Sequence, residues 1–186
     1  SSRTQSWTSD ADAGGTFDEP SANADGTWNR QDLTVTYVYD ADGRMVRASG
    51  TGDSVSDDGY GNRNVSQISQ TYAVIAGQAK IREAKTVSAS YHVDEASGEL
   101  SLGTYDGSTS DQTMIVSYRY DAAGQLIEVH GKGSSGSSST QGSSSSEIEQ
   151  FYSVVNGEAR LDRVVTIADT QGTDGSKSRS EQTLYN

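Results

Sequence analysis

At 186 residues the chain has room for one or two small domains, and with 26 acidic against 14 basic side chains it carries a formal net charge of −12. Such a polyanion is repelled by nucleic acid and by anionic lipid, so neither is expected as a partner. No apolar run approaches the roughly 20 residues that span a bilayer as a helix, and the absence of cysteine removes disulfides and thiolate metal sites.

The first residues, "SSRTQSW" (1–7), have neither an initiator Met nor a leader and read as a mature end or an interior cut. The first clear element is "LTVTYVYD" (33–40), where Val35, Tyr37 and Tyr39 alternate with Thr34, Thr36 and Val38. Alternation at period 2 in β-forming residues predicts a strand. "ADG" (41–43) turns the chain, with Gly43 free to adopt positive φ, and "RMVRASG" (44–50) resumes as a second strand. "SQTYAVIAG" and "QAKIREAKTVSASYHV" form a second predicted hairpin about Ala76-Gly77, and "DEASGE" (94–99) marks another turn.

The same elements then recur. Residues 114–133 repeat 33–52 at an offset of 81, with Val35/Val116, Tyr37/Tyr118, Tyr39/Tyr120, Asp40/Asp121, Ala41/Ala122, Gly43/Gly124, Gly50/Gly131 and Gly52/Gly133 identical. Residues 148–166 repeat 68–86 at an offset of 80, retaining Ile68/Ile148, Gln70/Gln150, Tyr72/Tyr152, Val74/Val154, Gly77/Gly157, Ala79/Ala159 and Thr86/Thr166. Asn156-Gly157 replaces Ala76-Gly77, and Asn-Gly is the strongest short hairpin turn. The one-residue change of offset falls in the most polar stretch, as a surface loop predicts. In the second copy that stretch is the Ser/Gly run 133–146, either a flexible linker or the ordered tip of a long hairpin. "SWTSDADAGG" (6–15) resembles "SYHVDEASGE" (90–99), and the terminal "SRSEQTLYN" echoes the initial "SRTQSWTSD". These matches predict units at 1–90 and 91–186, with a following unit starting near 180–186. The expected fold is all-β: antiparallel sheets of long hairpins in two tandem units of about 81 residues, arranged as a sandwich or stacked sheets. Its hairpin-defining residues are Tyr37, Tyr39, Asp40 and Gly43, then Tyr118, Tyr120, Asp121 and Gly124. Tyr72 and Gly77, with Tyr152, Asn156 and Gly157, define the second hairpin.

At "YVYDADGRM" and "YRYDAAGQL" the chain resembles the YD repeats of RHS-type and teneurin-like proteins, whose phrase is Tyr-x-Tyr-Asp-x-x-Gly-Arg/Gln-Leu. Tyr37, Tyr39, Asp40, Gly43 and Arg44 match in one copy, and Tyr118, Tyr120, Asp121, Gly124 and Leu126 in the other. The resemblance implies β-hairpins in a secreted or surface protein of bacterial type, in that family spiralling into a hollow shell. It is confined to the phrase itself, at 35–45 and 116–126. Here the two phrases stand a whole unit apart, with dissimilar strands between, where those of the family follow one another closely.

No catalytic signature is present. His92 and His130 occupy non-equivalent positions, and neither G-x-S-x-G nor H-E-x-x-H occurs, so no enzyme and no cofactor are expected. Calcium is the one cation the Asp/Gly clusters at 9–15, 40–43 and 56–62 suggest. The second copy replaces Asp42 with Ala123 and lacks Asp57 and Asp58, so turn formation is the preferred reading of these aspartates. The tyrosines fit cross-strand packing, with stacking on sugars as the alternative. The functional expectation is a structural subunit of an extracellular bacterial filament, sheath or surface fibre, assembling with copies of itself or adjacent repeats by strand pairing. An adhesive or carbohydrate-binding module and a fragment of an RHS-like shell are the alternatives.

Overall fold

The computed structural model describes residues 1–10, 14–94 and 96–186. Its elements are β1 (Ser2–Trp7), β2 (Trp28–Tyr39), β3 (Met45–Asp57), β4 (Asn62–Ile75), β5 (Gln78–Val93), β6 (Leu100–Leu102), β7 (Thr109–Tyr120), β8 (Leu126–Ser139), β9 (Gly142–Val155), β10 (Glu158–Gly172) and β11 (Lys177–Tyr185). All are strands, as the alternation predicts, and all join one antiparallel sheet in the order β1-β2-β3-β4-β5-β7-β8-β9-β10-β11, with short β6 on β5. The Ser/Gly run is not a linker: it forms the far end of β8 and the start of β9, paired from His130↔Phe151 to Ser139↔Gly142. The expected unit boundary at 90/91 falls inside β5, and β5 pairs with β7 from Glu83↔Ser117 to Ala89↔Asp111, so the sheet runs through it.

Equivalent residues build equivalent details. In the β2–β3 loop the Asp40 carboxylate accepts hydrogen bonds from the amides of Asp42 (3.0 Å) and Arg44 (2.8 Å), and Gly43 takes φ 77°. In the β7–β8 loop Asp121 accepts from Ala123 (2.9 Å) and Gln125 (2.8 Å), and Gly124 takes φ 79°. The β4–β5 and β9–β10 turns both place two consecutive residues at positive φ, Ala76-Gly77 at 49° and 76° and Asn156-Gly157 at 52° and 81°. This is the geometry that matches the twist of a two-residue hairpin. Each hairpin also carries a bulge. Val46 and Ile127 are the extra residues opposite Val38–Tyr39 and Arg119–Tyr120, and Arg82 and Asp162 those opposite Thr71–Tyr72 and Phe151–Tyr152.

The sheet is a single layer, and neither a sandwich partner nor a second stacked sheet is found among the described residues. Among the described residues the buried hydrophobic ones are Ala48, Val55 and Val129, and none of the largest side chains is fully enclosed. The accessible surface is 11783 Å². A compact monomer of 19.7 kDa exposes about 8,600 Å². Domains ordinarily bury one layer against another; here the strands are in place and the covering layer is not.

Candidate interaction surfaces

Antiparallel partners project to the same face, so the pairings sort the side chains into two sets. One row crosses the sheet as Val35, Gly50, Gln70, Ala84, Val116, Gly131, Gln150, Val164 and Leu184. The next contains Leu33, Gly52, Ile68, Thr86, Met114, Gly133, Ile148, Thr166 and Gln182. Continued along the strands, this face holds Tyr37, Tyr39, Tyr72, Tyr118, Tyr120 and Tyr152 toward one end and Ser, Thr, Asn and Gln toward the other. It holds no Asp, Glu, Lys or Arg at any paired position.

Every charged side chain at a paired position lies on the opposite face. Arg63 meets Asp57 at 3.0 Å, Arg119 meets Glu128, Lys132 meets Glu149 at 3.2 Å and Arg179 meets Asp169 at 3.3 Å, each directly across a strand pair. Arg3 pairs diagonally with Asp32 and holds its carboxyl below the usual carboxylate range. Exposed pairs contribute little stability, but opposite charges across a strand pair favour the observed register. Arg63 lies over Trp28 (5.1 Å) and Arg163 over Phe151 (3.9 Å) on this same face.

Tyr72 and Tyr152 are tied down within the uncharged face, while Tyr39 is largely exposed. The Tyr72 hydroxyl donates to Gln70 Oε1 (2.7 Å) and the Tyr152 hydroxyl to Gln150 Oε1 (2.8 Å). Each Gln in turn lies across a glycine: a Cβ on Gly50 would sit 2.8 Å from Gln70 Oε1, and one on Gly131 2.6 Å from Gln150 Oε1. Burial raises the Tyr72 and Tyr152 pKa values, with a smaller push from Tyr37 and Tyr118 respectively, and burial also raises that of Tyr120. Sequence comparison of the two copies finds these residues but not their mutual contact.

The remaining candidates lie apart. His92 is on the uncharged face, its Nδ1 2.9 Å from the Gly103 carbonyl oxygen and its ring 4.9 Å from that of Tyr105. His130 is on the charged face against Phe151. Among the described residues no three carboxylate or imidazole groups converge on a common metal position. The carboxylates of Asp40, Asp57 and Asp58 accept from the backbone of their own turns. The 9–15 cluster lies partly outside the described residues.

Among the described residues, both outer strands are open on one side. Thr8 donates to the Asn29 carbonyl, so by alternation Thr4 and Ser6 also face β2, while the N–H groups of Arg3, Gln5 and Trp7 point away from the sheet. Asn186 donates to the Asp162 carbonyl, so the amides of Glu181, Thr183 and Tyr185 point outward from β11. The chain ends, similar in sequence, do not take equivalent places. Thr4↔Leu33 repeats Thr86↔Met114, so β1 stands to β2 as β5 stands to β7. Thr166↔Gln182 puts β11 in the place of β7. The ends therefore occupy complementary positions in the sheet. Compared with protein-family models, curated protein sequences and solved structures, the chain matches none.

Proposed function

We propose that the chain is a structural module that extends β-sheet between copies of itself or adjacent repeats, building an extracellular bacterial filament, sheath or surface fibre. The observation that carries this reading is the single-layered sheet with two open edges and almost no core of its own. The path from β1 to β11 contains ten strands, an even number, so β1 and β11 run antiparallel. Copies placed side by side would continue an antiparallel ladder, whereas an odd number would force a parallel junction. The edges carry no proline or bulge, two of the usual devices against edge pairing. Backbone pairing at an edge is also the physical basis of β-strand addition. Deleting residues 1–7 removes one edge strand and is expected to abolish or shorten assemblies seen by negative-stain microscopy. Undiminished assembly after that deletion would sink the reading.

The same single layer of hairpins favours a second reading, a wall segment of an RHS-like shell. That reading requires further Tyr-x-Tyr-Asp-x-x-Gly phrases in close succession in flanking sequence, and a flank without them removes it.

A further inference from the structure

We infer that the uncharged face of the sheet is an interface on which a second copy of this chain stacks, face to face, supplying the layer that a single chain lacks. Three observations select this occupant. First, charge: the chain carries −12 overall, yet no charged side chain at a paired position points to this face. The ladders of two such faces meet without bringing like charges into contact and without desolvating an ion, whereas a charged partner would leave its charges unpaired. Second, area: the surface exceeds that of a compact monomer by about 3,000 Å². Ten strands about 4.8 Å apart and about 13 residues long at 3.3 Å per residue give a face of about 2,000 Å² per copy. Obligate interfaces bury about 2,000–5,000 Å² over both partners. Third, self-complementarity: the face is apolar at the end of Val116, Met114 and Ile148, and serine-rich at the other. A two-fold axis parallel to the strands would bring apolar rows onto apolar rows and serine rows onto serine rows, as an isologous contact requires.

This contact is independent of edge pairing and is tested with the edges closed. In the full chain, Gln5→Pro with Thr183→Pro removes an outward-pointing N–H from each edge and leaves the inner ladders intact. Sedimentation of this variant at tens of micromolar should give the mass of a dimer. Adding Val116→Lys on the uncharged face should shift it to monomer, while Ile115→Lys on the opposite face should leave the dimer. Because Val116→Lys could act by unfolding the sheet, a second measurement uses the absence of native cysteine. Met114→Cys, in the edge-closed chain, should crosslink into dimers with a short bis-maleimide, and Thr113→Cys should not. A monomeric edge-closed chain overturns the inference and leaves the uncharged face to a different partner. Equal crosslinking from both cysteines overturns it as well, and neither result bears on whether the edges pair.

Discussion

The clearest tests at the scale of single residues come from the places where the two copies differ. Ala76 sits at φ 49° where its counterpart is Asn156 at 52°. A left-handed conformation costs an Ala about 1–2 kcal/mol, and Asn tolerates it through local hydrogen bonding. Ala76→Asn is therefore expected to stabilise the chain by about 1 kcal/mol, and Asn156→Ala to destabilise it by a similar amount. Thermal melting of both variants checks this, and opposite shifts of a few degrees are the expected outcome. Gly131→Ala places a Cβ 2.6 Å from Gln150 Oε1 and 2.8 Å from Gln150 Cβ, so the glutamine must move and its bond to Tyr152 is lost. Overpacking of this kind costs about 1–3 kcal/mol, readable as a lower urea midpoint. Equal midpoints would show that Gln150 gives way freely. The glycine, glutamine and tyrosine were each legible as identities between the copies. Their contact was not, because Gly131 and Gln150 lie on different strands and meet only through the pairing of β8 with β9.

Hairpin by hairpin, much of the fold could be read directly: the Asp-x-x-Gly loops at 40–43 and 121–124 and the turns at 76–77 and 156–157 form as the sequence predicts. The segregation of charge onto one face was hidden by the bulges at Val46, Arg82, Ile127 and Asp162. Each inserts one residue and inverts the parity of everything after it. "KIREAK" shows the effect, since Lys80, Glu83 and Lys85 share a face only because Arg82 is skipped in the pairing. The loops also set the response to acid. Asp25 is lowered by Thr27, Asp94 by the Ser97 amide, Asp106 by the Thr104 hydroxyl and Asp174 by Ser176. A carboxylate with a depressed folded pKa contributes stability above its unfolded value of about 3.9, and this is lost as pH falls through the folded value. Stability should therefore decline below about pH 4. Replacing Asp106 by Asn should lower stability at pH 7 and flatten part of that decline, which chemical denaturation across pH 2–7 would show. At the alkaline end the sign is reversed. Tyr72, Tyr120 and Tyr152 have raised values, so their contribution is complete below about pH 10 and fades as pH rises through the folded values.

As a whole molecule the chain combines a high negative charge with two open edges. Repulsion between copies carrying −12 opposes their approach, and salt screens it. Assembly is expected to be faster at higher ionic strength, and faster as pH falls from 7 toward the isoelectric point near 4.4; light scattering follows both. That window lies above the pH at which the Asp-stabilised loops weaken, so charge and stability effects separate. The absent second layer was beyond the sequence, because period-2 alternation says that one side of each strand differs from the other and not what covers it. Most direct of all is negative-stain electron microscopy of the purified full chain beside its Gln5→Pro, Thr183→Pro variant, at matched circular dichroism. Extended ribbons or filaments of regular width from the native chain, lost in the variant, are the predicted result. Native chains that stay as separate small particles, or filaments that persist when both edges are closed, would contradict assembly through the edges of this sheet.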